Sequence, residues 1–332
     1  MLNNMNWIRG IATILIVLGH VRDGVSYTPT SSQDIYMQMA LLEASCIFIA
    51  ISGFFFQLNM EKYTMSVYFS KKINNVIIPY LVISLPAILI YVLKIKTEHS
   101  WMDMDVFYDS PVPLQILTMI FTGAHLGPLW FIPALFFIYL AAPLLKELSR
   151  SHYFPAIAIS SIAVFFITSR PENNSNPILA AIHFMPMYLA GMYFCKVRDK
   201  IKSTTGFYLF TTTTIILSIT SSHFTSLFGI QKLSLFFALY YFFLAHENII
   251  HKNKHIPRAL GTVGMYSFSI YFLHGYFVGA YRILSEHITP DQFINYLLIL
   301  SLLTTATILP CIGIVSFAKK MIGNKSRLIF GT

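Results

Sequence analysis

The stretch NWIRGIATILIVLGHVRD, residues 6–23, is an apolar run with an arginine near one end and a histidine near the other. Burying an arginine in lipid costs about 2.5 kcal/mol even on the most lenient insertion scale. A segment that served only as a membrane anchor would gain nothing from that cost. Arg9 and His20 are therefore the first candidates for functional residues.

The rest of the chain has the same apolar character. Of its 332 residues, 55% are hydrophobic and only 11% are charged, against about 25% charged in ordinary soluble domains. This composition predicts an all-α, polytopic integral membrane protein. We expect about ten transmembrane helices, near residues 7–22, 37–57, 73–93, 129–146, 153–169, 178–195, 206–222, 231–246, 264–284 and 292–317. Residues 112–126 are too short and too broken for a clear span, and we expect a re-entrant or interfacial piece leading into the fourth helix.

The distribution of Lys and Arg indicates the orientation. If the N-terminus is inside, most basic residues fall in inner connections and in the C-terminal segment, as the positive-inside rule requires. Both termini are therefore expected in the cytoplasm. No internal repeat or change in composition divides the chain, so residues 1–332 are predicted to form a single membrane-embedded domain.

The net charge of +9 is spread in small packets between apolar runs. That pattern favours topology signals over nucleic-acid binding, so membrane lipid is expected around the protein and no nucleic acid. Cys46, Cys195 and Cys311 lie in or beside apolar segments without a CxxC pair, which indicates neither a disulfide framework nor a zinc site. No metal is expected. The sequence also lacks the GxxxxGK[ST], GxSxG and HExxH motifs of P-loop ATPases, hydrolases and zinc proteases.

Arg9 and His20 share one face of the first helix. They are eleven positions apart, which is about 20° past three full turns and about 16 Å along the axis. Ionisable residues inside membranes usually face the bundle interior or a water-filled cavity. Each residue alone has an ordinary explanation: Arg9 could extend to the headgroups, and His20 could bond to a neighbouring helix. The shared face and the apolar run between them favour a joint function.

The two side chains suit two parts of one reaction. A histidine can act as a general base, because its pKa lies near neutrality. The planar guanidinium of an arginine binds phosphate through paired hydrogen bonds. We therefore predict a phosphate-bearing donor near Arg9 and a proton transfer at His20, that is, a group transfer across the membrane.

Motifs along the chain resemble those of a known family. They are Arg-x10-His in the first helix, ISGFFF (51–56), HLGPLWFIPALFFIYLAAPLL (125–145) and YSFSIYFLHGYF (266–277). Their order and spacing resemble the acyltransferase-3 family of bacterial integral membrane O-acyltransferases, over nearly the whole chain.

The resemblance implies an enzyme of the bacterial inner membrane that uses acyl-CoA, most often acetyl-CoA, as its donor. The acceptor would be a hydroxyl of a surface glycan such as O-antigen, or of its undecaprenyl-linked precursor. His20 would match the catalytic base of the family and Arg9 its motif arginine. Many members carry R-x-x-R at the start of the third helix, where this chain has Lys72 and Asn75. These two residues are donor-binding candidates whose role this departure leaves open.

Glu43 is an acidic residue within the apolar run MALLEASCIFIAISG (39–53). Its carboxylate could orient His20, as an acid orients a catalytic histidine. It could equally pair with a basic residue near the outer surface. Glu43 is therefore a second catalytic candidate with an open alternative.

His125, Trp130 and His274 are candidates for substrate binding. His125 and Trp130 are expected at the outer mouth of the fourth helix, although tryptophan is enriched at membrane interfaces for other reasons. His274 lies within a late helix, where a histidine bonded to a neighbouring helix is the alternative.

Two other classes of function fit parts of the sequence. Ten helices with buried Arg and His are also typical of a transporter or exporter of glycans or small anions, although no two matching halves are visible. A structural partner in a polysaccharide-synthesis complex would tolerate replacement of both Arg9 and His20.

Overall fold

The computed structural model describes residues 2–221, 223–252, 255–284, 290 and 292–331. Within these ranges the regular elements are all helices, as predicted. The first half contains α1 (Leu2–Arg22), α2 (Ser31–Leu41), α3 (Ser45–Asn59), α4 (Met65–Lys72), α5 (Ile78–Val92), α6 (Met104–Asp109), α7 (Val112–Thr122), α8 (Phe131–Leu140), α9 (Ala142–Arg150), α10 (Phe154–Ser160) and α11 (Ile162–Ile167).

The second half is built in the same way. It contains α12 (Pro177–Val197), α13 (Ser203–Ser221), α14 (Phe228–Ala245), α15 (Glu247–Lys252), α16 (His255–Met265), α17 (Ser267–Leu284), α18 (Phe293–Ile322) and α19 (Ser326–Phe330). A single π-helical turn, Ile73–Ile77, joins α4 to α5, and a 3₁₀ turn, Gly127–Trp130, precedes α8.

Five helical stretches of the described chain are long and apolar enough to cross a membrane. They are Ser31–Asn59, Met65–Val92, Pro177–Lys200, Phe228–Ala245 and Phe293–Phe330. A sixth is present if Val112–Thr122 and Gly127–Leu140, which meet at 77°, form one broken span rather than a re-entrant loop. The all-α membrane class is therefore confirmed.

The count of about ten spans and the cytoplasmic termini stay predictions. Three more helices, α1, α13 and α17, have 21, 19 and 18 residues, which is enough to span a bilayer. Their polar residues make them less apolar than the five, because α1 carries Arg9 and His20 and α13 is rich in threonine.

α1 lies among other helices and packs against α3, α16, α17 and α18. Beside it, α3 and α12 are in close backbone contact. A Cβ atom on Gly53 would lie 2.0 Å from the carbonyl oxygen of Tyr188, and one on Gly191 would lie 1.9 Å from that of Ala50. Small residues thus allow two membrane helices to meet without intervening side chains, and α1 and α3 together line the interior of the bundle.

Candidate active site

A cavity of about 490 Å³ surrounds the Arg9 side chain, and we call it the Arg9 cavity. Arg9 donates a hydrogen bond from Nη2 to Ser267 Oγ at 2.6 Å, and its Cζ lies 6.0 Å from the centroid of the Phe268 ring. The start of α17 therefore holds the guanidinium in place at the cavity wall.

Basic side chains from distant parts of the sequence line this cavity. They are Arg9, Lys71, Lys72, Lys319 and Arg327, and none of the described lining residues is acidic. Uncompensated positive charge in a cavity attracts anions and raises their local concentration. The Arg9 cavity is therefore suited to an anionic ligand.

Lys72 and Asn75 both line the Arg9 cavity, as their predicted role in donor binding requires. Asn75 belongs to the π-helical turn, an element that often occurs at functional sites. Lys72 Nζ lies 3.9 Å from the ring centroid of Tyr139 and 5.4 Å from that of Tyr68. Contact with two aromatic faces stabilises an ammonium group that is partly removed from water.

A second, smaller cavity of about 190 Å³ contains His20, and we call it the His20 cavity. Glu43, Trp130, Arg170 and Tyr271 line it together with His20. The hydroxyl of Tyr271 donates to the carbonyl of Pro128, which fixes this tyrosine against the 3₁₀ turn before α8. His20 thus faces polar and aromatic groups from four separate segments.

The ring of His274 lies beside that of His20, with 5.4 Å between their centroids and an interplanar angle of 44°. His274 Nδ1 lies 3.0 Å from the carbonyl of Ile270 and 2.7 Å from that of Tyr271. Because both partners are acceptors, Nδ1 carries the proton in the neutral ring. Nε2 is then the basic nitrogen, and it is buried with no hydrogen-bond partner among the described residues.

Glu43 pairs with Arg170 rather than with a group on α1. Arg170 Nη1 donates to Glu43 Oε1 at 2.6 Å, and the Cys46 thiol lies 3.7 Å from Glu43 Oε2. Arg170 also donates from Nε to Asn174 Oδ1 at 2.7 Å, and its Cζ lies 4.7 Å from the ring centroid of Trp130. Of the two alternatives for Glu43, the structure shows the contact with a basic residue. That Glu43 orients His20 stays a prediction.

A family model described as an acyltransferase domain matches residues 2–316. The chain belongs to the acyltransferase-3 family. No curated protein and no solved structure matches the chain. With its membrane-spanning helices, this acyltransferase is a multi-pass membrane protein that transfers an acyl group to a hydroxyl of a substrate.

The structure groups most of the candidates from the sequence. Arg9, Lys72 and Asn75 line one cavity, whereas His20, Glu43 and Trp130 line the other. The ring of His274 lies beside that of His20. His125 stands apart from both cavities: its Nδ1 lies 3.0 Å from the carbonyl of Met119 and its ring 6.0 Å from that of Tyr80.

Sequence reasoning missed several residues that line the two cavities. Lys319 and Arg327 are distant in sequence and were interpreted as topology signals, and so was Arg170. Tyr271 belongs to the quoted motif 266–277, so the motif itself was the signal that pointed to it. Phe131 likewise belongs to the quoted motif 125–145, whereas no motif pointed to Phe48. Both residues line both cavities.

The contact between Glu43 and Arg170 gives a test of the two alternatives for Glu43. The side chains are 16% and 32% exposed, so we expect a modest coupling of about 1 kcal/mol between them. Glu43→Gln should lower the thermal stability of the purified acyltransferase, and Arg170→Met should lower it more because Arg170 also contacts Asn174 and Trp130. The loss in the double variant should be smaller than the sum of the two single losses. If Glu43 also orients His20, Glu43→Gln will lower kcat for acyl transfer much more than Arg170→Met does.

Proposed function

We propose that this acyltransferase moves an acyl group, in the first place acetyl, from cytoplasmic acyl-CoA to a hydroxyl of a bacterial surface polysaccharide such as O-antigen, or of its undecaprenyl-linked precursor. The enzyme would reside in the bacterial inner membrane. One observation carries the proposal: a basic cavity and a histidine cavity lie along the same helix and share a wall.

The Arg9 cavity fits the phosphate-bearing part of the donor. Coenzyme A carries a 3′-phosphate and a diphosphate, and the cavity offers five basic side chains. Guanidinium and ammonium groups form short, charge-assisted hydrogen bonds to phosphate oxygens. Tyr63, Tyr68 and Phe268 add aromatic faces to the same wall, and these suit an adenine ring. The pantetheine arm would then extend along α1 toward His20.

The His20 cavity would hold the acceptor hydroxyl. An imidazole nitrogen of His20 takes the proton of the hydroxyl, whose oxygen attacks the carbonyl carbon of the thioester. A C–O bond forms, the C–S bond breaks, and the leaving thiolate receives the proton from His20. The products are an ester on the acceptor and free CoA. General base catalysis of this kind contributes about 10²- to 10⁴-fold to a rate.

His274 would hold His20 in position for this proton transfer. With its own proton on Nδ1, His274 presents a basic Nε2 in a fully buried site next to the His20 ring. That nitrogen can accept an N–H of His20, which leaves the other nitrogen of His20 free to act as the base. Trp130, backed by Arg170, offers the acceptor an aromatic face in the same cavity.

The ester content of the surface glycan tests the proposal. We expect base-labile acetyl signals in NMR spectra of polysaccharide from cells that carry the gene, and their loss when the gene is deleted. Restoring the gene should restore the signals. Equal acetylation with less glycan at the surface of the deletion strain would contradict the proposal and favour an exporter.

A further inference from the structure

Two phenylalanines lie where the two cavities adjoin. Phe48 on α3 and Phe131 at the start of α8 line both the Arg9 cavity and the His20 cavity, and no other described residue does so. We call this pair the Phe48–Phe131 partition. A group that extends from the basic cavity to His20 along this shared wall passes the two rings.

The two rings are held differently. Phe131 is only 7% exposed, and its ring centroid lies 5.6 Å from that of Tyr271 and 5.9 Å from that of Trp130. Phe48 is half-buried and stacks on no other aromatic ring of the described chain. The Phe131 side chain is therefore held in place by its neighbours, whereas the Phe48 side chain can change its rotamer.

The partition lies where the acyl group has to be. The phosphate-binding candidate Arg9 and the base His20 are about 16 Å apart along α1. If the phosphates lie in the Arg9 cavity and the acceptor hydroxyl in the His20 cavity, the thioester meets the acceptor at the boundary between the two cavities. The acyl chain then lies against the rings of Phe48 and Phe131, which line both cavities.

We propose that the Phe48–Phe131 partition selects the acyl group by size and admits a two-carbon acyl thioester in preference to a longer one. This inference rests on the proposed function, because it assumes an acyl-CoA donor that enters from the Arg9 cavity. Phe48 is the specificity-determining residue, since its side chain is the less constrained of the two. The chemical step is unchanged: the acceptor oxygen bonds to the acyl carbon and CoA leaves.

An internal competition tests the proposal independently of expression level. Permeabilised membranes from cells that make the acceptor glycan receive equal amounts of acetyl-CoA and butyryl-CoA, labelled with different isotopes in the acyl group. The base-labile label in the glycan fraction is then measured. We expect Phe48→Ala to raise the ratio of butyryl to acetyl incorporation by about 10-fold or more, since each methylene in an apolar pocket is worth about 10- to 200-fold.

Phe55→Ala is the matched control. Phe55 lies on the same helix and lines the Arg9 cavity, but it does not line the His20 cavity. Its removal should leave the incorporation ratio unchanged. Phe48→Leu provides a milder variant if Phe48→Ala fails to accumulate, and it should shift the ratio in the same direction.

A binding measurement supplies a readout that does not depend on turnover. S-ethyl-CoA and S-butyl-CoA are unreactive thioethers, and calorimetry on the purified full chain in detergent gives the dissociation constant of each. Phe48→Ala should improve the affinity for S-butyl-CoA relative to S-ethyl-CoA. If Phe48→Ala leaves both ratios unchanged while the wild type still incorporates acetyl, the proposed role of the partition is wrong and the proposed function stands. If the wild type incorporates no acetyl from acetyl-CoA, the proposed function fails and the partition's role fails with it.

Discussion

His20→Ala is expected to abolish acylation of the glycan while the protein still accumulates in the membrane. A loss of about 10²- to 10⁴-fold in kcat follows if His20 is the general base, because its imidazole carries the proton from the acceptor hydroxyl to the leaving thiolate. The protein should remain folded, since the His20 side chain faces a cavity. The measurement is the rate of ester formation, together with the amount and thermal stability of the purified variant.

His152→Ala is the control for the loss of a histidine as such. His152 is exposed and lines neither cavity, so its removal should leave the rate unchanged. Glycan that is still acetylated at the wild-type rate by His20→Ala would exclude a catalytic role for this residue. The assembly-partner hypothesis would then gain support, because it predicts that Arg9 and His20 are both dispensable.

Arg9→Met is expected to weaken the binding of acyl-CoA by about 10- to 150-fold, which corresponds to about 1.5–3 kcal/mol for hydrogen bonds to a charged group. The guanidinium is already oriented by Ser267, 2.6 Å from Nη2, so little freedom is lost when a phosphate binds. We expect the change mainly in KM for acetyl-CoA, with a smaller effect on kcat.

Acetyl-pantetheine tests whether the weaker binding of acyl-CoA by Arg9→Met comes from lost contacts with the phosphates. It carries the thioester but no phosphate, so Arg9→Met and the wild type should use it equally well. Lys320→Met serves as the charge control, because Lys320 is exposed and lies next to the cavity-lining Lys319 without lining the cavity itself. A similar loss with acetyl-pantetheine would mean that Arg9 acts on the structure or on the chemistry rather than on the phosphates.

The sequence predicted those features that depend on a single helix. Helical geometry alone places Arg9 and His20 on one face, and the structure finds each in a cavity along that face. The all-α class followed from composition. These two features need only local periodicity and a residue's chemical character, whereas Lys72 and Asn75 were identified through the family resemblance, at the start of the third predicted span.

Features that depend on pairs of distant segments could not be predicted. Arg170 contacts Glu43, which lies 127 positions away in the chain. Nothing in the sequence around either residue indicates that the other is its partner. The break between α2 and α3, where Glu43 has a φ of 58°, was hidden in a continuous apolar run. Helix termini and bends of this kind depend on tertiary packing, which overrides local propensity.

The wall of the Arg9 cavity also bears on how the protein is made. α19 packs against α5 and against the π-helical turn that contains Asn75, and Arg327 of this short helix lines the same cavity as Arg9. Arg9 is therefore translated some 300 positions before Lys319 and Arg327, which line the same cavity. A nascent chain that has inserted its early helices lacks Lys319 and Arg327. A chain that stops before these two residues would therefore present only part of the basic wall of the Arg9 cavity, and we expect it to bind an anion more weakly.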